Sequence, residues 1–214
     1  MNKVIAATVI SSAFFLGACS GPTAEEQLDT VLKSTFDAEK EYRDAQKNMQ
    51  KLEEDEQQLF ESIMSLTQEQ QEEVGAQAEE AIASANERLE LLASEKESMA
   101  AAQENFKEID AVIVETDEES VKSGMADLKG KMQERFEAHA AFADAYENLN
   151  KQQQELYVML QDENSTLQSL QEKALAVNSQ NQTVQDAVTA FNEKTEQFNE
   201  LKSNVISDIE KSEE

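Results

Sequence analysis

Cys19 is the residue with the clearest chemistry in this sequence, and its neighbours say what that chemistry is. It follows Leu16-Gly17-Ala18, a branched aliphatic residue and two small ones, in the pattern of a bacterial lipobox. A thiol at that point is the one side chain nucleophilic enough to take a diacylglyceryl group before a peptidase cuts in front of it. Upstream stand the other parts of an export signal: Lys3 as a positive start, then an almost wholly apolar run from Val4 to Phe15. About a dozen apolar residues are too few to span a bilayer, which takes roughly 20. The expectation is therefore a signal peptide over residues 1–18, removed on export, and a mature chain held to the membrane by diacylglyceryl-Cys19. Each buried methylene adds roughly 0.8 kcal/mol of membrane affinity, so two acyl chains hold firmly. Cys19 is also the sole cysteine, which rules out an internal disulfide.

Elsewhere reactive side chains are sparse. His139 is the one histidine, and Phe136 stands where a di-iron helix motif needs a glutamate, so a core role is expected for it. Arg88, Glu95, Arg135, Gln153, Asn181 and Thr195 interrupt otherwise apolar seams, and polar groups at such positions set register by disfavouring slipped pairings. Counting layers from the turns puts Arg135 level with Glu95 and predicts that they pair. Met49, Met99, Met125 and Met132 fall on seams and read as core. Asn164-Ser165-Thr166 and Asn181-Gln182-Thr183 match the glycosylation sequon, a frequent chance match in a bacterial chain. There is no nucleophile elbow, phosphate loop, zinc spacing or HExxH. These residues assign no catalytic, cofactor-binding or metal-ligating position, no cofactor and no enzymatic activity.

The elements that carry these side chains are long helices. Proline occurs once, at Pro22, and beyond it the chain is rich in Glu, Gln, Ala, Lys and Leu. Apolar residues recur in alternating steps of three and four. The first seam runs Leu28, Val31, Thr35, Ala38, Tyr42, Ala45, Met49, Leu52, Glu56, Leu59, Ile63, Leu66. Later seams run from Val74 to Ile113, from Val121 to Leu160 and from Leu167 to Ile209. Thr67 to Gln70 and Thr116 to Glu119 read as capping boxes at two of the breaks. The fold class is all-α: an elongated, antiparallel, coiled-coil-like bundle of four long helices, with a three-helix bundle as the alternative. The expected organisation is a tether over 19–22 and one helical domain over 23–214, with helices near 23–66, 68–113, 117–161 and 165–211. Each helix would be about 65–70 Å long. Ser20, Gly21 and Pro22 reach little more than about 10 Å, so the bundle must rest close to the membrane. The turns near Thr67 and Asn164 are then distal, and an upright rod is expected.

Charge limits the partners. The formal net charge is −27, from 18 basic and 45 acidic side chains, and such a surface repels nucleic acid and anionic headgroups.

Cys19-Ser20-Gly21-Pro22-Thr23-Ala24-Glu25-Glu26-Gln27-Leu28 resembles the start of the YkyA-like lipoproteins of Gram-positive bacteria, whose name associates them with cell-wall binding. Leu52 to Phe60 is similar to that family's first long helix. Arg135 to Tyr146 and Leu156-Tyr157-Val158-Met159-Leu160 are similar to its third. The resemblance implies an extracytoplasmic, membrane-anchored helical protein that touches the wall, and it brings no catalytic residues. The chain departs from the family in being more acidic and poorer in lysine, without a basic groove for polyanions or exposed aromatics spaced for sugar stacking.

The resulting expectation is a non-enzymatic, lipid-anchored envelope rod acting as a wall-associated factor or scaffold. The alternative is a binding module that docks an envelope protein through its distal turns or long faces, for which an exposed apolar patch near Thr67 or Asn164 would speak. A third reading has acidic faces share Mg²⁺ or Ca²⁺ with wall phosphates. The pattern fixes no oligomeric state.

Overall fold

A computed structural model describes residues 22–212; Cys19 and the signal lie outside the described residues. Among those described there is no strand, and the chain runs as four long arms. The first arm is α1 (Ala24–Ala38) followed by α2 (Lys40–Ser65), and the second is α3 (Gln71–Phe106) followed by α4 (Ile109–Glu115). Arms three and four are single helices, α5 (Glu119–Gln161) and α6 (Leu167–Ser212). The fold is the all-α antiparallel bundle that the heptads predict.

Local chemistry sets the ends. Thr23 opens α1 with a complete capping box: its hydroxyl accepts from the Glu26 amide, and the Glu26 carboxylate accepts from the Thr23 amide. Thr67 and Gln70 close the expected box at the first turn, around a 3₁₀ turn at Gln68–Gln70. The box expected at Thr116 does not form. Thr116 instead turns back and donates to the Val112 carbonyl at 2.7 Å, ending α4, while Glu118 occupies the N-cap of α5. The Gln71 amide reaches the Leu160 carbonyl at 3.1 Å, which ties the first turn to the third at one end of the bundle.

Both helix pairs are broken where the heptad predicts continuity. In an unbroken first arm the Tyr42 amide would bond to the Ala38 carbonyl. Here the Ser98 hydroxyl of α3 stands between them, donating to Ala38 O at 2.6 Å and accepting from Tyr42 N at 3.0 Å. A side chain inserted in the backbone ladder is a recognised cause of a kink. At Lys107 and Glu108 the backbone tightens into i to i+3 hydrogen bonds before α4 begins.

The core is three apolar clusters separated by buried polar layers. The cluster nearest the chain start draws on all four arms, with Leu28, Phe106, Met125, Phe198 and Ile209 among its members. The middle cluster centres on Met49, Leu92, Tyr146 and Val184. The far cluster, built on Ile63, Val74, Ala78, Ala81 and Tyr157, contains nothing from α6. Ala78, Ala81 and Ala85 are fully buried, so α3 lies close against its neighbours there. The bundle is thus four-stranded at one end and effectively three-stranded, with α6 alongside, at the other.

The lone stripe of α6 explains this. Val184, Phe191, Phe198 and Val205 are buried at exact seven-residue steps. The complementary seam positions are Asn181, Val188, Thr195 and Lys202, and with Val188 the one apolar side chain of the four they form no continuous second apolar interface. A helix with one apolar stripe packs on one neighbour, and α6 lies along α5.

Candidate functional site

The polar residues that interrupt the seams come together in layers. In the layer beside the α1–α2 break, Arg135 makes a two-pronged pair with Glu39 at 2.5 and 3.0 Å, and its Nε donates to the Thr195 hydroxyl at 3.1 Å. The predicted Arg135–Glu95 pair does not form. Glu95 stands one turn further on, level with His139, whose Nε2 lies 2.6 Å from its carboxylate, and it also accepts from Gln46 at 2.8 Å. Counted from the turn at residue 117, Glu95 and His139 both lie 22 residues away, so uniform pitch already sets them level, and Arg135 stands one turn short. His139 is buried and packs edge-on against Tyr42 and Phe191, with ring centroids 5.5 and 5.6 Å away.

The next layer lies deeper in the far half. Arg88 is 1% exposed and Glu56 3%, and the two are paired. Arg88 also donates to the Tyr146 hydroxyl at 3.2 Å and to Gln153 at 3.3 Å. Tyr157 donates to Glu56 at 2.8 Å, and Tyr146 donates to Glu53 at 2.7 Å. Two α5 tyrosines thus fasten two carboxylates of α2. Burial pushes the Tyr157 hydroxyl up to about 12 and raises Tyr146 as well, with the Glu53 charge adding to the latter.

Directly over this layer the bundle is open. A cleft of about 1090 Å³ runs between α2 and α6, with α5 as its floor. Met49, Phe142, Tyr146, Leu149, Leu156 and Tyr157 form the base, with Arg88 behind them. Amides alternate with apolar residues such as Phe60, Val177 and Val188 along the walls. Gln46, Gln50, Glu53 and Gln57 recur along α2 at steps of four, three and four; Asn178, Asn181 and Gln185 do so along α6 at steps of three and four. Each helix therefore presents one continuous polar stripe to the cleft. Gln50 and Gln57 bond to Glu54 and Glu61 of their own helix, and among the described residues no side-chain hydrogen bond engages Asn178, Asn181 or Gln185. The α6 wall is fixed to the floor by Gln180 bonding to the Ala145 carbonyl at 2.9 Å and by the Lys173–Glu155 ion pair.

Of the residues singled out in the sequence, Arg88 and Gln153 meet in this layer, and Asn181 sits exposed on the cleft wall instead of setting register in the core. The α2 stripe was not singled out, because glutamines on a helix surface read as solvated; their regular spacing was the available signal. Among the described residues no group of three or more His, Cys, Asp or Glu is placed to hold a metal ion.

Comparison with known families fits this architecture. The model of the YkyA family, described as "Putative cell-wall binding lipoprotein", matches residues 23–208. The chain belongs to that family. Membership makes it a lipoprotein of the cell envelope, and among the described residues no helix is long and apolar enough to cross a membrane. A crystal structure of a conserved protein of unknown function from Staphylococcus aureus is similar, with a TM-score of 0.74 and 19% identity over 87% of this chain and 97% of that one. At that identity the likeness concerns the fold alone. No curated protein matches the chain.

Proposed function

We propose that the protein is a non-enzymatic rod, anchored at the outer face of the cell membrane by diacylglyceryl-Cys19, that engages the cell wall through the amide-walled cleft. The observation that carries the reading is the position of that cleft in a chain of this family. It lies between Gln46 and Phe60 of α2, about 35–55 Å along the first arm from Thr23. The tether over 19–22 keeps the other end at the bilayer, so an upright bundle lifts the cleft off the membrane and toward the wall.

The anchor is tested by metabolic labelling with a fatty acid: the native chain takes up label and Cys19→Ser does not, and label retained in the variant removes Cys19 from the proposal. The wall is tested by co-sedimentation of the solubilised chain with purified sacculi stripped of anionic polymers. A chain that stays in the supernatant refutes wall engagement.

A second reading has a specific observation behind it. Met64, Val158 and Leu167, at 63%, 55% and 73% exposure, lie near the first and third turns. Apolar side chains at the distal end suit docking of an envelope protein.

A further inference from the structure

We propose that the cleft takes an uncharged, acetamido-bearing glycan strand, a reading that rests on wall engagement and names the polymer. Charge is the first argument. The chain as a whole carries −27, a field that opposes any polyphosphate or polycarboxylate. Inside the cleft the charges cancel: Lys47 and Arg88 face Glu53 and Glu56, with Arg88 and Glu56 already neutralising one another. The cleft is a locally neutral strip on an acidic rod, and it complements a neutral polymer.

The donor set is the second argument. A primary amide both donates and accepts without charge, which matches hydroxyl and acetamido groups. Asn178, Asn181 and Gln185 have no protein partner to surrender, so a ligand gains hydrogen bonds there without breaking any. Carboxylates or phosphates would instead meet amides and two lining cations, of which Arg88 is already paired with Glu56 and Lys47 alone is left for them.

Spacing is the third. Steps of three and four residues place successive polar side chains about 4.5–6 Å apart along each wall, amides throughout on α6 and with Glu53 among the glutamines on α2, close to one pyranose ring per group. An extended peptide repeats every ~3.4 Å and is recognised by an exposed sheet edge, which a helical wall does not offer.

The test is calorimetric titration of the detergent-solubilised, lipid-anchored chain with the tetramer of N-acetylglucosamine. Saturable binding is expected, weakened at least tenfold in Gln57→Ala/Asn181→Ala and unchanged in Gln182→Ala, an exposed residue outside the cleft. Unchanged thermal melts show that these surface variants fold. Cellotetraose, which lacks the acetamido groups, is expected to bind at least tenfold more weakly. The proposal is overturned by absence of saturable binding, by affinity that survives the double substitution, by equal binding of cellotetraose, or by tighter binding of polyglycerol phosphate or a wall peptide. Sacculus binding retained in Gln57→Ala/Asn181→Ala also overturns it while leaving wall engagement standing, whereas loss of sacculus binding by the native chain removes both.

Discussion

Replacing Glu56 by glutamine isolates what the deep polar layer contributes. Arg88 and Glu56 are 1% and 3% exposed, so neither charge has water to fall back on. Glutamine keeps the volume and an oxygen for the Tyr157 hydroxyl, but leaves the guanidinium without its counter-ion. Orphaning one member of a buried pair costs about 3–5 kcal/mol. Glu53 stands one hydroxyl away, through Tyr146, and offers partial compensation. That puts Glu56→Gln near the lower bound, about 3 kcal/mol. In a chain of this length each kcal/mol moves the midpoint by about 2–4 °C, so thermal melting followed by circular dichroism should fall by about 6–12 °C. The double variant Glu56→Gln/Arg88→Met removes both charges, and a neutral layer of similar volume is expected within about 1 kcal/mol of the native chain. A loss below about 1 kcal/mol in the single variant, or no recovery in the double, would show that the layer is not a desolvated ion pair.

Two further perturbations follow from buried side chains. Tyr42 and Tyr157 are pushed up to about 12 by burial and Tyr146 is raised too, and these are all the tyrosines of the chain. Below about pH 10 the tyrosines are neutral in folded and unfolded chains alike; between about 10 and 12 only the unfolded chain gives up its protons, so stability drains away across that window. Tyrosinate absorbance should accordingly rise together with loss of helix, and ionisation near pH 10 in a folded chain would contradict the burial. Glycines give a contrasting test. A methyl at Gly75 or Gly130 meets nothing within 4 Å, whereas at Gly124 it would stand 3.1 Å from Val205 Cγ2. Alanine at either open site should add about 0.8–1 kcal/mol of helix stability, and Gly124→Ala should return less, since the buried Val205 must yield; equal midpoints for all three would deny the close approach of α5 and α6.

The number and direction of the arms were legible because heptads record burial along a helix, and each seam could be followed by itself. Polar interruptions were legible as buried positions for the same reason: Arg88, Glu95 and Arg135 are all inside. Their partners were not. Arg135 meets Glu39, which sits beside the seam residue Ala38 and becomes buried only because Ser98, on another arm, opens the first helix there. Nothing local to residues 35–45 announces that event. Glu95 misses Arg135 by one turn because equal counts of 22 residues from the turn at 117 bring it level with His139 instead.

The cleft follows from a contrast written into α6 itself. Its buried stripe holds it to α5 over most of its length, yet the second stripe that would close the bundle against α2 carries Asn181, Thr195 and Lys202. At Thr195 the arm is still drawn in, since Arg135 reaches across and bonds to the hydroxyl. Phe191 still packs on Tyr42, and beyond it toward the third turn no side-chain hydrogen bond or ion pair among the described residues joins α6 to the first arm. Lys202, half-buried nearer the chain end, has its pKa lowered by desolvation, the cost accepted where four arms do close. Where they do not, both facing helices show polar side chains, most of them amides, at the spacing of a helical stripe. A surface selected only for solubility has no reason to keep them in step on two helices whose walls stand apart across the cleft. A surface that holds a third, polar chain between them does, and that periodicity is the strongest ground for treating the opening as a site.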